Sequence, residues 1–191
     1  MNINGTIYKK PLLVFALESE AGRGFEGYEM LFTGIGKVNA TYHLLKKIQE
    51  YRPDIIINLG TAGGFGFQKG EVICCTEFVQ RDMDVSPLGF KKYQTPFSKS
   101  PIVLEYGIAK EGLKKGVCGT GDCFETEHTT NKYNVVDMEV YALAKVAKEE
   151  QIPFLCLKYI SDGADDNAVT DWQEEVKLAG IALNKALLDI H

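Results

Sequence analysis

The sequence has no surplus of positive charge. Its 21 Lys and Arg stand against 26 Asp and Glu, a formal net charge of −5. Without a basic surplus to neutralise phosphates, nucleic acid is excluded as a partner. A small charged ligand is not excluded, since one local cation suffices. Long hydrophobic runs are also missing: no apolar stretch approaches the ~20 residues that span a bilayer, so no membrane partner is expected. The run Pro11 to Leu17 (PLLVFAL) is short and ends in acids, which makes it a buried strand rather than a signal peptide. The five cysteines (Cys74, Cys75, Cys118, Cys123, Cys156) show no C-x-x-C spacing and no clustered histidines. No metal site is expected from them. An odd count of mostly apolar-flanked thiols reads as reduced core cysteine and a cytoplasmic protein. Internal repeats, low-complexity tracts and linkers are absent. What remains is ordinary: 191 residues, 45% apolar and 25% charged, suit one domain over 1–191 with a real core.

Hydrophobic patterning alternates strands with helices. Strands are expected at Pro11 to Leu17, Tyr28 to Thr33, Asp54 to Leu59, Glu71 to Gln80 and Pro153 to Ile160, with Val117 to Thr120 a further candidate. Val38 to Tyr51 reads as an amphipathic helix with Val38, Tyr42, Leu45 and Ile48 on its apolar face, stopped by Pro53. Helices are also expected at Asp137 to Gln151 and Thr170 to Ile190, the latter capped by Thr170 or Asp171. Gly60 to Gly66 (GTAGGFG) reads as a tight loop. The pattern-poor stretch Arg81 to Glu111, with Pro87, Pro96 and Pro101, reads as a long surface excursion. Near-continuous apolar strands imply helices on both faces of a sheet. The expected fold is a single-domain α/β three-layer sandwich with a mostly parallel, twisted, mixed central sheet. Ligands in such sheets sit at the carboxyl ends of strands.

Those ends carry acids. Glu18-Ser19-Glu20 follows the first strand; alone, it is as well explained by a solvated loop. Ser161-Asp162-Gly163 follows the last strand, where Asp162 would be partly buried and able to serve as a general acid. Asp165 and Asp166 are turn-capping candidates. Glu139, in Asp137-Met138-Glu139, would gain from a helix dipole, which alone would explain it. Gly34-Ile35-Gly36-Lys37 lacks the frame of a phosphate loop, and D-G-x-D-D lacks that of a calcium loop.

Eight pieces in order resemble one family: A-L-E-S-E (Ala16 to Glu20), T-G-I-G-K-V-N-A (Thr33 to Ala40), P-D-I-I-I-N-L-G-T-A-G-G (Pro53 to Gly64), K-G-E-V (Lys69 to Val72), D-M-D-V (Asp82 to Val85), G-D-C-F (Gly121 to Phe124), V-D-M-E (Val136 to Glu139) and I-S-D-G-A-D (Ile160 to Asp165). Together they look like the purine nucleoside phosphorylase/hydrolase superfamily, in its 5′-methylthioadenosine/S-adenosylhomocysteine nucleosidase branch. The resemblance implies cleavage of an adenine N-glycosidic bond without metal or cofactor. Catalytic roles fall on Asp162, as the acid at purine N7 with Ser161 beside it, and on Glu20, which holds the attacking water with Thr61. Phe124 would stack on the base, and backbone at Glu125, a position usually apolar in the family, would meet its edge. Met138 and Glu139 would contact the ribose, and Gly63 would lie along the substrate. Leu17, Ile35 and Trp172 would line an apolar 5′ pocket, closed by Val85 and Leu88 from a neighbouring subunit of a homodimer.

The superfamily's phosphorylases place arginines where this chain has Glu20 and Asn58, so water rather than phosphate is the expected nucleophile. Arg23 is the residue that could rescue a phosphate site. Other rival readings are hydrolysis of another purine nucleoside such as futalosine, and a purine-binding protein without activity. Two departures bear on the substrate: the segment Ala21 to Phe32 is short, and Glu125 and Trp172 alter the base and 5′ pockets.

Overall fold

A computed structural model describes residues 1–125, 128–163 and 168–188, leaving out the side chains at 168–174 and 177. A small hairpin of β1 (Asn2–Ile3) and β2 (Thr6–Ile7) precedes the main sheet. Then follow β3 (Pro11–Phe15), α1 (Glu18–Ala21), β4 (Glu29–Phe32), α2 (Lys37–Tyr51), β5 (Ile55–Gly64), β6 (Val72–Gln80), β7 (Val103–Glu105), β8 (Lys115–Thr120), β9 (Val135–Asp137), α3 (Val140–Glu149), β10 (Phe154–Asp162) and α4 (Ala168–Leu188).

The layering follows from strand alternation. In β3, Leu12 and Val14 pack on the side of α2 and α3, with Ala40, Leu44 and Leu143. Leu13 and Phe15 point the other way, toward Ala179, Leu183 and Leu187 of α4. β5 does the same with Ile56 on one face and Ile55, Ile57 and Leu59 on the other. A strand buried on both faces has no use for polar alternation, hence the continuous apolar runs.

The sheet is mixed and mostly parallel. β4, β3, β5 and β10 run parallel in sequence across it, and β8 is parallel to β6 and β9. β6 is antiparallel to β10, and β9 to β5. The pairing of β5 with both β10 and β9 closes β5, β10, β6, β8 and β9 into a ring. The carboxyl ends of these five strands, or the residues just after them, line one cavity.

Several expectations need correction. The glycine-rich run after Leu59 is no loop: β5 continues to Gly64, paired with β10 up to Gly63 and with β9 at Gly63 and Gly64. Glycine is needed there because a Cβ at Gly64 would lie 2.8 Å from Cδ1 of Ile160. On α2 the core face is Ala40, Leu44 and Ile48, while Val38 (78%) and Tyr42 (62%) are exposed and Leu45 lies with them. The third helix begins at Val140, because Asp137 still belongs to β9 and Glu139 is the N-cap. α4 begins at Ala168, so Thr170 and Asp171 lie inside it rather than at its cap. The stretch after β6 is not wholly superficial: Arg81, Tyr93 and Leu104 are buried, and β7 adds to β6. Cys123 is exposed; the other four cysteines are buried, and all five are free thiols. Asp165 and Asp166 lie outside the described residues. Among the described residues no helix is long and apolar enough to cross a membrane.

Candidate active site

The strand ends surround a cavity of about 320 Å³. Its walls come from the turn after β3 (Leu17, Glu20), the end of β5 (Thr61, Gly63), the segment after β8 (Phe124, Glu125), the end of β9 (Met138, Glu139) and the end of β10 (Ser161, Asp162). Ile35 and Arg81 complete it.

Among the described residues Glu20 is held by neutral donors rather than by a cation. α1 is a single turn, which folds the Glu20 side chain back so that Leu17 N–H donates to Oε2 at 3.0 Å. On the far side, the backbone N–H and Oγ1–H of Thr61 both donate to Oε1, each at 2.8 Å. A glycine at position 60 makes room for this, since its Cβ would meet Glu20 Oε1 at 3.1 Å. The carboxylate is buried, whereas Glu18 is exposed, so only Glu18 fits the solvated-loop reading.

Glu139 has a poorer environment. Its Oε1 accepts the Gly36 N–H at 2.9 Å. Gly36 is at φ 93, a left-handed conformation that glycine adopts without a Cβ clash. Burial, and then the neighbouring charge of Asp137, push the Glu139 carboxyl up to about 7. Asp137 itself is well satisfied. Thr120 Oγ1 donates to it at 2.6 Å, Val140 N–H at 2.9 Å, and Lys158 Nζ lies 2.9 Å away. Burial opposes its charge, but Lys158 and these donors outweigh that and hold its carboxyl below the usual range. Burial would likewise lower the Lys158 ammonium, but Asp137 outweighs it and holds that group well above its usual value. At the other wall Ser161 Oγ donates to Asp162 Oδ2 at 2.7 Å, both residues buried.

The mouth is stitched across three loops. Lys37 Nζ lies 2.6 Å from Asp82 Oδ1, Lys37 N–H donates to Asp122 Oδ1 at 2.8 Å, and Asp122 N–H donates to Asp82 Oδ2 at 2.9 Å. The motifs T-G-I-G-K, D-M-D-V and G-D-C-F thus meet at one point.

The sequence pattern of the Phosphorylase superfamily matches residues 28–190. The chain belongs to that superfamily. A 5′-methylthioadenosine/S-adenosylhomocysteine nucleosidase from Shewanella piezotolerans is 30% identical over 200 residues, covering 93% of this chain and 86% of that protein. The nucleosidase of the same name from Helicobacter pylori, solved with butyl-thio-DADMe-Immucillin-A, has a TM-score of 0.84 at 21% identity, over 96% of this chain and 98% of that one. A futalosine hydrolase from Helicobacter pylori gives 0.83 at 20% identity, over 94% of this chain and 96% of that one. At these identities the two structures speak for the fold, which is the nucleoside phosphorylase-like α/β fold expected.

Set on that superfamily fold, the expected residues Glu20, Thr61, Gly63, Phe124, Glu125, Met138, Glu139, Ser161, Asp162, Leu17 and Ile35 all line one cavity. Phe124 and Ile35 stand half-exposed at its mouth. The Trp172 side chain lies outside the described residues. Val85 and Leu88 do not line this chain's cavity, and Leu88 is exposed. Arg23 is exposed and away from the cavity. Arg81 lines it instead, paired to Glu125 at 3.2 Å.

Sequence reasoning missed three charged residues that the structure pairs at or behind the cavity wall. Lys158 could have been found as the one charge in an otherwise apolar strand, PFLCLKYI. Asp137 was visible but read as a helix end rather than as an ion-pair partner. Arg81 was hidden at the start of a stretch with no pattern.

Proposed function

We propose that this protein hydrolyses the N-glycosidic bond of an adenine nucleoside carrying a 5′-thio substituent, 5′-methylthioadenosine or S-adenosylhomocysteine, and releases adenine. The observation that carries this reading is the pair of buried carboxylates in one cavity. Glu20 is fixed by three neutral donors, and Asp162 by a serine hydroxyl. The similarity to nucleosidases of that name supports the substrate class.

In this mechanism Asp162 enters as the acid and gives its proton to N7. The C1′–N9 electron pair moves into the base, which leaves as neutral adenine. The sugar becomes an oxocarbenium ion, stabilised by negative charge around it. Water held by Glu20 and Thr61 attacks C1′, and Glu20 takes its proton. Glu139 accepts a ribose hydroxyl. Phosphate is disfavoured as the nucleophile, because among the described lining residues the cation, Arg81, is tied to Glu125 and the other charges are carboxylates. The apolar side chains Leu17 and Ile35 suit a methylthio group better than a free 5′-hydroxyl, whose burial without a partner costs roughly 1–3 kcal/mol.

The active unit in this proposal is a cytoplasmic homodimer. Four buried free thiols fit a reducing compartment. Val38, Tyr42 and Leu45 form an exposed apolar stripe on α2, next to half-exposed Ile35 at the cavity mouth. Such a stripe fits an isologous partner whose residues 84–90 reach the 5′ pocket.

A product assay tests the activity. Methylthioadenosine, S-adenosylhomocysteine, adenosine, inosine and futalosine are incubated with and without phosphate. Free methylthioribose and adenine without phosphate are expected. A sugar 1-phosphate would replace the proposal with phosphorolysis, and cleavage of futalosine alone would move it to the other relative's substrate.

A further inference from the structure

The cavity wall that the proposed function assigns to the base is built on charge. Residues 121–125 leave β8 as a strap, and its apolar ring, Phe124, is half-exposed. Apolar packing therefore does not hold that ring in place. Arg81, at the end of the neighbouring β6, does the holding. Its backbone N–H donates to Thr120 O at 2.9 Å, which fixes the residue beside the strap's root. Its guanidinium lies against Gly121, where a Cβ would be only 3.0 Å from Cζ. Nη2 donates to the carbonyl of Cys123, and Nη1 reaches Cys123 Sγ at 3.3 Å and Glu125 Oε2 at 3.2 Å. The strap is thus gripped on both sides of Phe124.

Glu125 is locked in turn. Tyr133 donates its hydroxyl to Oε2 at 2.9 Å, and His128 Nδ1 lies 3.2 Å from Oε1. The His128 ring is stacked on Phe65 at 3.5 Å between centroids. Burial and then the Glu125 carboxylate push the Tyr133 phenol well above its usual value.

We propose that Arg81 and Glu125 are positioning residues, a buried ion pair that clamps the strap 123–125 so that Phe124 and the Glu125 backbone present a fixed surface to the base. The proposal rests on the reading of this wall as the base site. The forked geometry of arginine is what the clamp needs, since one side chain holds a carbonyl and a carboxylate two residues apart. The base makes the same contacts before and during bond cleavage. The clamp therefore acts on binding, and its loss is read in KM rather than in kcat.

The test uses the full-length variants Arg81→Met, Glu125→Gln and their combination. Glu125→Gln keeps the shape of the side chain, so it reports even if Arg81→Met folds poorly. Adenine and 5-methylthioribose affinities are measured by calorimetry, beside KM and kcat for methylthioadenosine. Each single variant is expected to weaken adenine and raise KM by about tenfold or more, with kcat falling less than about threefold. The double variant is expected to be no worse than the weaker-binding single, because both changes release one clamp. Methylthioribose affinity is expected to stay within about twofold. Unchanged adenine affinity in the singles, multiplicative loss in the double, or equal weakening of the sugar would each overturn the clamp. If the wild type itself binds no adenine, the base-site reading falls and the clamp falls with it; if it binds adenine but cleaves nothing, only the hydrolase reading falls.

Discussion

The two ends of the cavity handle buried charge in opposite ways. At the end that the proposal assigns to the base, Glu125 meets Arg81 at 3.2 Å, so that charge is paired in place. At the sugar end Asp137 is also neutralised in place, by Lys158 at 2.9 Å. Among the described residues neither Glu20 nor Glu139 forms an ion pair, although the Lys158 charge also acts on Glu139. Glu20 is satisfied by two backbone N–H groups and a hydroxyl, and Glu139 by one backbone N–H. The difference teaches where charge is meant to appear. A leaving purine needs a proton and a flat surface, which a neutral wall supplies. A sugar that becomes cationic needs uncompensated negative charge, preorganised in a site that largely excludes water. Dipoles can hold a carboxylate in position without cancelling it; a cation would cancel it.

Breaking the sugar end should have the largest effect. Glu20→Gln keeps the side chain's shape, but an amide accepts no proton from water and puts an N–H where an acceptor stood. The expected loss in kcat is about 10³-fold or more, measured with methylthioadenosine at saturation. Full activity would return Glu20 to a structural role. Asp162→Asn breaks the base end less severely, with an expected loss of at least ~100-fold in turnover while adenine still binds.

The Lys158–Asp137 pair sharpens the comparison from below. Lys158→Met leaves a buried carboxylate without its cation and is expected to cost about 3–5 kcal/mol of folding stability. Chemical denaturation would detect this directly. A loss under about 1 kcal/mol would mean that Asp137 is held by Thr120 and Val140 alone.

Glu139 gives the smallest and most diagnostic effect. Its carboxyl is raised to about 7 in the folded protein, against an ordinary value near 4.5 when unfolded. The folded state therefore binds the proton more tightly between those values. The group's stability contribution is most favourable below about pH 4.5 and is lost as pH rises through 7. Glu139→Gln removes that penalty. Relative to wild type it should gain on the order of 2–3 kcal/mol between pH 4.5 and pH 8. A stability difference that does not vary with pH would show that Glu139 is not held near neutrality.

These contrasts also show how far the sequence could be read. The strands were legible because burial on both faces leaves continuous apolar runs, and Glu20 and Asp162 because acids follow such runs at a place where α/β folds bind ligands. The continuation of β5 through Gly60 to Gly64 was not, since glycine is normally a turn signal. Only the closing of the sheet, with Ile160 pressed against Gly64, explains an extended glycine run. The apolar stripe of α2 was visible but assigned to the wrong face, because Val38, Tyr42 and Leu45 fit an inward pattern as well as an outward one. The pairings of Arg81 with Glu125 and Lys158 with Asp137 join residues 44 and 21 positions apart on different elements, and no local pattern carries such a contact.

The claim that Glu20 supplies uncompensated negative charge at the sugar end is tested most directly by binding. Two 5′-methylthio adenosine analogues would be compared by calorimetry at pH 7. One carries a protonated nitrogen in the sugar ring, and the other is an isosteric carbocycle without charge. Tighter binding of the cation by about 100-fold or more is expected, with most of that advantage lost in Glu20→Gln. Equal affinity of the two analogues for the wild type would contradict the account.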